Sequence, residues 1–317
     1  MVHEFGPPSV LVPAEAPEPQ LAPGQVLIEV ELVNVTFVET QVRAGRPPNP
    51  AMLPQLPAIP GNGVGGRVIA VGEGVNDALV GARVVSSTGG SGAYAELAAV
   101  DAAGVIEVPA QLELADAVAL LADGRTAMGL VRSAGVREGD IVLVEAAAGG
   151  VGSLLVQLCR NAGALVVAAA GGRAKLDVAA RLGPALTVDY TQPGWTESVR
   201  GQVGGVDVVF DGVGGEIGRE AFGLVRDGGR FSVFGLASGS FTEIPDGQAA
   251  RAGISVIRGS RVAPGEMLEL TRAALAEAAA GRLRALVGQT FPLDRAADAH
   301  AAIEARATVG KTLLLTR

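Results

Sequence analysis

The chain has 317 residues, 49% of them hydrophobic, which excludes a disordered polar chain and allows two domains with a substantial core. Its formal net charge of −8 is the wrong sign for a phosphate backbone, so no nucleic-acid partner is expected. One cysteine and two histidines, His3 and His300, exclude an internal disulfide and are too few for a zinc site built from Cys, His and carboxylate ligands, so no metal is expected.

Residues 1 to about 110 are rich in Val, Gly and Pro, with strand-like runs such as "QVLIEVELV" and "GGRVIAVG". Short strands separated by glycine turns predict a small, irregular β-barrel domain. The proline-rich run "RPPNPAMLPQLPAIPG" at 46–61 predicts an ordered loop, either a rigid apolar lid or a surface connector. From about 112 to 262 the texture changes to strand–helix alternation, with strands expected at 141–146, 165–170, 186–189, 206–211, 229–234 and 255–259. Such alternation indicates parallel βαβ units, because a parallel pair needs a crossover. The tail reads as a helix at 264–281, a strand near 286–291, a helix at 294–306 and a last strand in "KTLLLT". No run reaches the ~18 apolar residues of a membrane span and no leader or lipidation motif is read, so the expectation is a cytoplasmic protein without a membrane partner.

One stretch lacks side chains where a ligand would need bare backbone. The buried strand at 141–146 runs into Ala147-Ala148-Gly149-Gly150-Val151-Gly152 and then into a helix expected over 153–163. This is an A-x-G-x-x-G form of the dinucleotide fingerprint. Gly149 would let the backbone approach a pyrophosphate, and Gly152 would let the helix sit against the strand. The helix N-terminus offers unpaired N–H groups and partial positive charge to the anion. A site preferring NAD places an acid about 20 residues on, at the end of the second strand. Here Ala170, Gly171 and Gly172 stand there, followed by Arg173 and Lys175, with Asp177 too far along to substitute. Missing acid and two cations favour the 2′-phosphate of NADPH.

Six motifs in register, "EAAAGGVG" with Gln157, "GAYAE", "DGRTA", "DVVFDGVGG", "GGRFSVFG" and "VGKTLLLT", resemble the zinc-free quinone oxidoreductases of the medium-chain dehydrogenase/reductase superfamily. The resemblance spans essentially the whole chain. It implies an α/β protein in which a Rossmann doubly wound parallel-sheet domain, residues 113–262, is inserted into a GroES-like β-rich catalytic domain, residues 1–112 and 263–317. It also implies NADPH and a small-molecule substrate held in the interdomain cleft. Residue by residue, it puts Lys175 and Tyr190 at the adenosine 2′-phosphate and Gly149, Gly150 and Val151 on the pyrophosphate turn. Thr126 and Gly235 fall by the nicotinamide, and Lys311 lies in a terminal "GK" that returns towards the cleft. Relatives pair the strand equivalent to 254–260 with its copy across a two-fold axis, which implies a homodimer.

The departures concern the substrate side. Thr36 stands for an asparagine expected beside the nicotinamide, Glu39 for an aspartate, Gly63 for a glutamate, and Glu145 for a histidine. Thr36 and Glu39 are the candidate catalytic residues lining the cleft, although Glu39 could instead pair with Arg43. Tyr94 is read as a packing residue. Without zinc to polarise an alkoxide, the expected acceptor is a quinone or a C=C bond conjugated to a carbonyl. The alternatives are an enoyl reductase or a non-redox catalyst on a biosynthetic intermediate, or a silent NADPH-binding protein, since fold does not settle function.

Overall fold

The computed structural model describes residues 1–245 and 247–316. In chain order, the first half of the β-rich part comprises β1 (Gln25–Val35), α1 (Phe37–Arg43), β2 (Gly63–Val71), β3 (Arg83–Ser87), β4 (Leu97–Asp101) and β5 (Ile106–Glu107). A long helix, α2 (Leu114–Ala134), leads to β6 (Ile141–Val144), α3 (Gly150–Asn161), β7 (Leu165–Ala170), α4 (Arg173–Ala180) and β8 (Leu186–Asp189). Then come α5 (Trp195–Val203), β9 (Val206–Asp211), α6 (Gly215–Phe222), β10 (Val225–Val233), α7 (Gln248–Arg251) and β11 (Ser255–Arg258). The chain ends with α8 (Met267–Ala279), β12 (Val287–Pro292), α9 (Ala296–Glu304) and β13 (Lys311–Leu315). Two compact units result, Met1–Ala122 with Ala274–Arg317 and Asp123–Ala273, and the division falls inside α2 and α8.

The first unit is built on a seven-stranded sheet, ordered β12-β13-β1-β2-β3-β5 with β4 also on β1. β1 is long enough to serve three partners. Along one edge β4 takes Gln25–Glu29 and β13 takes Leu32–Val35, while β2 runs antiparallel along the other. Val26, Ile28 and Val30 alternate into the core at 0% exposure, the period-two burial of a sheet face. The proline-rich run forms a short 3₁₀ turn at Pro50–Met52 and is tied down where Ala58 bridges Val2.

The second unit is a six-stranded sheet ordered β11-β10-β9-β6-β7-β8, parallel throughout. Its central strands include continuous apolar runs, "IVLV" in β6 and "LVVAAA" in β7, as expected for a parallel sheet covered by helices. β6 comes first in the chain yet lies at the centre. β7 continues on one side and β9 on the other, so the strand order reverses at the carboxyl end of β6, where open α/β sheets receive ligands. β11 forms one edge. Several boundaries differ from expectation by a few residues, and two of these differences lie at the turn. β6 stops at Val144 rather than 146, because Ala146 turns the chain with φ 48. α3 begins at Gly150 rather than 153, since a helix opened by glycines shows its apolar pattern only from Leu154 onward.

Candidate functional site

The bare turn sits at the switch point of the parallel sheet. Gly149 is the N-cap of α3 in extended conformation, and no side chain caps this helix. The first-turn N–H groups that a helix cannot satisfy internally therefore stay available to an anion. The two flanking glycines serve different needs. A Cβ on Gly152 would lie 2.2 Å from the Ala146 carbonyl oxygen and 2.8 Å from its carbon, so this glycine lets α3 pack on the turn. A Cβ on Gly149 would meet only that oxygen, at 3.1 Å. Its other side is open, as a cradle for a pyrophosphate requires. The residues present thus fit a dinucleotide.

The expected 2′-phosphate residues gather at the ends of β7 and β8. A Cβ on Gly171 would lie 3.1 Å from Tyr190 Cε2, so the tyrosine ring lies over this glycine. Asp189, at the end of β8, turns its carboxylate onto the N–H of Gly172 at 3.1 Å and onto the Thr191 hydroxyl at 2.6 Å. Lys175 is half-buried on α4. Arg173 is 88% exposed and pairs with Asp177 at 2.9 Å. Asp177, set aside as a ribose ligand, is thus the local partner of one of the two cations, though such an exposed pair is worth little.

Thr126 lies half-buried on α2. Gly235, which follows β10, is fixed by packing. A Cβ there would lie 2.2 Å from the Gly212 carbonyl oxygen, so the ends of β9 and β10 approach each other only because this residue is glycine.

In the first unit, Thr36 and Glu39 are brought together by helix capping. Thr36 is the N-cap of α1. Its Oγ1 accepts from the Glu39 N–H at 3.3 Å, while Glu39 Oε2 accepts from the Thr36 N–H at 2.8 Å. Glu39 Oε1 accepts from the Asn62 N–H at 3.0 Å, and Oε2 also faces the Tyr94 hydroxyl at 3.1 Å. Burial raises the Glu39 carboxyl, opposed by the Thr36 bond, the charge of Lys311 and the remaining donors. Lys311 opens β13 and is itself only 4% exposed, so it is no solvated surface lysine.

Arg43 does not pair with Glu39. Its guanidinium, 1% exposed, bonds Glu304 and the Gly6 carbonyl instead. Tyr94 does more than pack. Its hydroxyl lies 2.8 Å from Nε2 of His300, which is fully buried, and the rings meet edge to face. A single phenolic proton serves either Glu39 or His300, so the other group must donate to the tyrosine. Burial pushes His300 down to about 3, with Arg43 adding to the effect.

Gly63, where the resemblance leads one to expect glutamate, is held by Asn34. A Cβ at Gly63 would lie 2.7 Å from the Asn34 amide, which occupies that space at 1% exposure.

Asn62 and Tyr94 were not nominated from the sequence as polar partners of Glu39, nor His300 as a partner of Tyr94. Only "TFVE" at 36–39 carried a local signal, the S/T-x-x-E/Q pattern of a capping box. Among the described residues no group of three or more His, Cys, Asp and Glu is placed to hold a metal ion, and no helix is long and apolar enough to cross a membrane.

Comparison with known proteins adds the following. The family profile for zinc-binding dehydrogenases matches residues 150–276, and that for the alcohol dehydrogenase GroES-like domain matches residues 22–110. A 2-haloacrylate reductase from Burkholderia sp is 32% identical, covering 99% of this chain and 98% of its own. A probable quinone oxidoreductase from Schizosaccharomyces pombe is 35% identical over 99% of this chain and 95% of its own. Among solved structures, Escherichia coli quinone oxidoreductase complexed with NADPH superposes with a TM-score of 0.90 at 28% identity, covering 99% of this chain and 98% of that one.

Proposed function

We propose, for a chain that belongs to the quinone oxidoreductase family of the medium-chain dehydrogenase/reductase superfamily, that its NADPH-dependent activity reduces a quinone or a C=C bond conjugated to a carbonyl, without zinc. The observation that carries the reading is the uncapped start of α3 at the switch point of the parallel sheet, with open space beside Gly149. The named activities of relatives matched over nearly the whole chain support both acceptor classes, a quinone and a haloacrylate C=C bond. One cysteine and two histidines, only one of them buried, support zinc independence.

In this reading Gly150 and Val151 present main-chain N–H groups to the pyrophosphate, while Gly149, whose own N–H is taken by the Ala146 carbonyl, lets the phosphate come close on its open side. Gly171, Arg173, Lys175 and Tyr190 receive the 2′-phosphate, and Thr126 and Gly235 belong to the nicotinamide end. Lys311 is a further cofactor residue, and Thr36 and Glu39 form the polar part of the first unit that faces the substrate. Bound NADPH supplies the hydride, and the reduced acceptor takes its proton from water or a neighbouring hydroxyl. Glu39 acts as a positioning residue, because its oxygens already take Thr36, Asn62 and Tyr94 as donors. Thr36 Oγ1 accepts within the capping box and keeps its own proton to orient the acceptor oxygen. The two units correspond to a catalytic and a cofactor-binding domain, and β11, an edge strand, pairs with its copy in a homodimer.

NADPH absorbance followed with 1,4-benzoquinone, simple enones, 2-haloacrylate and enoyl thioesters tests this directly. Hydroquinone or a saturated product identifies the acceptor class. No turnover with any of them, or activity lost on chelation and restored by zinc, would overturn the proposal.

A further inference from the structure

Glu145 and Asp211 stand at the carboxyl ends of neighbouring strands β6 and β9, and each residue is 0% exposed. Asp211 is well supplied with donors. Its Oδ1 accepts from the Gly214 N–H at 2.7 Å and its Oδ2 from the Thr242 hydroxyl at 2.6 Å. Glu145 Oε2 accepts from the Val213 N–H at 3.1 Å, whereas its Oε1 receives no donor. The like charge that acts on it is that of Asp211, on the neighbouring strand.

Among the described residues no cation pairs with either carboxyl. The loop after β9 offers backbone amides of Gly212 and Val213. On α6, Gly218 abuts the Asp211 carboxylate, where a Cβ would lie 2.9 Å from its oxygens. Two carboxylates shut away from water without a cation repel strongly, and one proton held by the pair removes the repulsion. Burial, then the charge of Asp211, push the Glu145 carboxyl well above the usual range.

Glu145 is also the root of the bare turn. Its N–H donates to the Phe210 carbonyl at 3.1 Å, and Ala146 follows at φ 48. The Ala146 carbonyl accepts from the Gly149 N–H at 2.7 Å and is the surface on which Gly152 packs. We propose that Glu145 is a positioning residue that carries the proton of this pair, joins the pyrophosphate turn to the 212–214 loop, and takes up a proton when the dinucleotide binds to protein that has lost it. The inference rests on the assignment of this turn to the cofactor. An ionised Glu145 would set negative charge at the base of a turn that receives a dianion. The protonated form therefore binds the dinucleotide more tightly, and by linkage the dinucleotide raises the proton affinity of the pair.

The test is titration of the protein with NADPH and with NADH from about pH 6.5 to about 9.5, in buffers of different ionisation enthalpy, above the ~6 of the 2′-phosphate. On the alkaline side the wild type takes up to about one proton per cofactor, and Kd weakens by up to about tenfold per pH unit. Uptake is the same with NADH, which shares the pyrophosphate and lacks the 2′-phosphate. Glu145→Gln, which has no proton to gain or lose, loses the uptake, and its Kd no longer weakens with rising pH. Asp211→Asn removes the like charge and moves the uptake window down by about one pH unit or more.

A wild-type profile flat in both proton count and Kd overturns the proposal, whether or not the variants fold. So does a Glu145→Gln protein with undiminished uptake, or an Asp211→Asn window that stays put. Failure of the wild type to bind either dinucleotide would instead remove the cofactor assignment, and this inference with it.

Discussion

Replacing each of two neighbouring glycines by alanine separates the fold's need for the bare turn from the cofactor's. In Gly152→Ala the new methyl would lie 2.2 Å from the Ala146 carbonyl oxygen, 2.8 Å from its carbon and 3.1 Å from the Ala147 Cα. All three are backbone atoms, so no rotamer change relieves the overlap, and α3 must move off the turn. Overpacking of this kind costs about 1–3 kcal/mol or more, and backbone on every side puts it near the top of that range. For a unit of this size, 2–3 kcal/mol corresponds to roughly 4–12 °C in Tm. Gly149→Ala behaves differently. The residue already has φ −84 and ψ 175, which alanine tolerates, and its Cβ meets one atom at 3.1 Å. Losing glycine at an N-cap costs several tenths of a kcal/mol, and reduced unfolded-state entropy returns about 0.4–1. Its Tm should hold within about 2 °C. Its methyl, however, fills the open side of the turn and displaces one or two charge-assisted bonds to the pyrophosphate. NADPH affinity should fall about 10- to 100-fold. Differential scanning fluorimetry and a cofactor-fluorescence titration on both proteins measure this. A Gly149→Ala protein that binds NADPH as tightly as wild type would refute the idea that the pyrophosphate contacts this backbone.

Wild-type protein should favour NADPH over NADH by about 10- to 1,000-fold, and Lys175→Ala should weaken NADPH while leaving NADH nearly unchanged; equal losses for the two cofactors would remove Lys175 from the 2′-phosphate site. His300, pushed down to about 3 by burial, binds fewer protons folded than unfolded below its ordinary value of ~6.5. Its contribution to stability is therefore complete above about 6.5 and lost as pH falls towards 3, on the order of 3 kcal/mol by pH 4. Chemical denaturation at pH 7 and pH 4 should show His300→Gln losing less stability on acidification than wild type, and equal losses would contradict the assignment. Light scattering at micromolar concentration should report a dimer, and a charge at an exposed position of β11, Ser255→Glu, should shift it towards monomer; a wild-type monomer would discard that pairing.

The parallel sheet is legible because strands buried on both faces write themselves as uninterrupted apolar runs. The turn is legible because removing side chains over six residues is costly unless something must come close. The legible features are local or nearly so. What eluded the sequence lies across it. Glu39 has Arg43 four residues on, the favoured neighbour along a helix, yet the fold sends Arg43 to Glu304, 261 residues away, and gives Glu39 to backbone donors and to Tyr94. Tyr94 and His300 meet across 206 residues. Where no distant partner competes, the local rule holds, as for exposed Arg173 and Asp177 on α4. Burial decides between the two outcomes. A side chain left in water takes whichever charge is near in sequence, at little gain or loss. One that the fold encloses must find its full set of partners wherever the sheet order brings them. The Glu145–Asp211 pair is the strongest case, since Glu145 follows a strand of isoleucine, valines and leucine, and nothing local shows that a second carboxyl waits on the adjacent strand. Chemistry that depends on enclosed polar groups is therefore written in topology, and Gly63 beside Asn34 and Glu145 beside Asp211 become interpretable only as pairs.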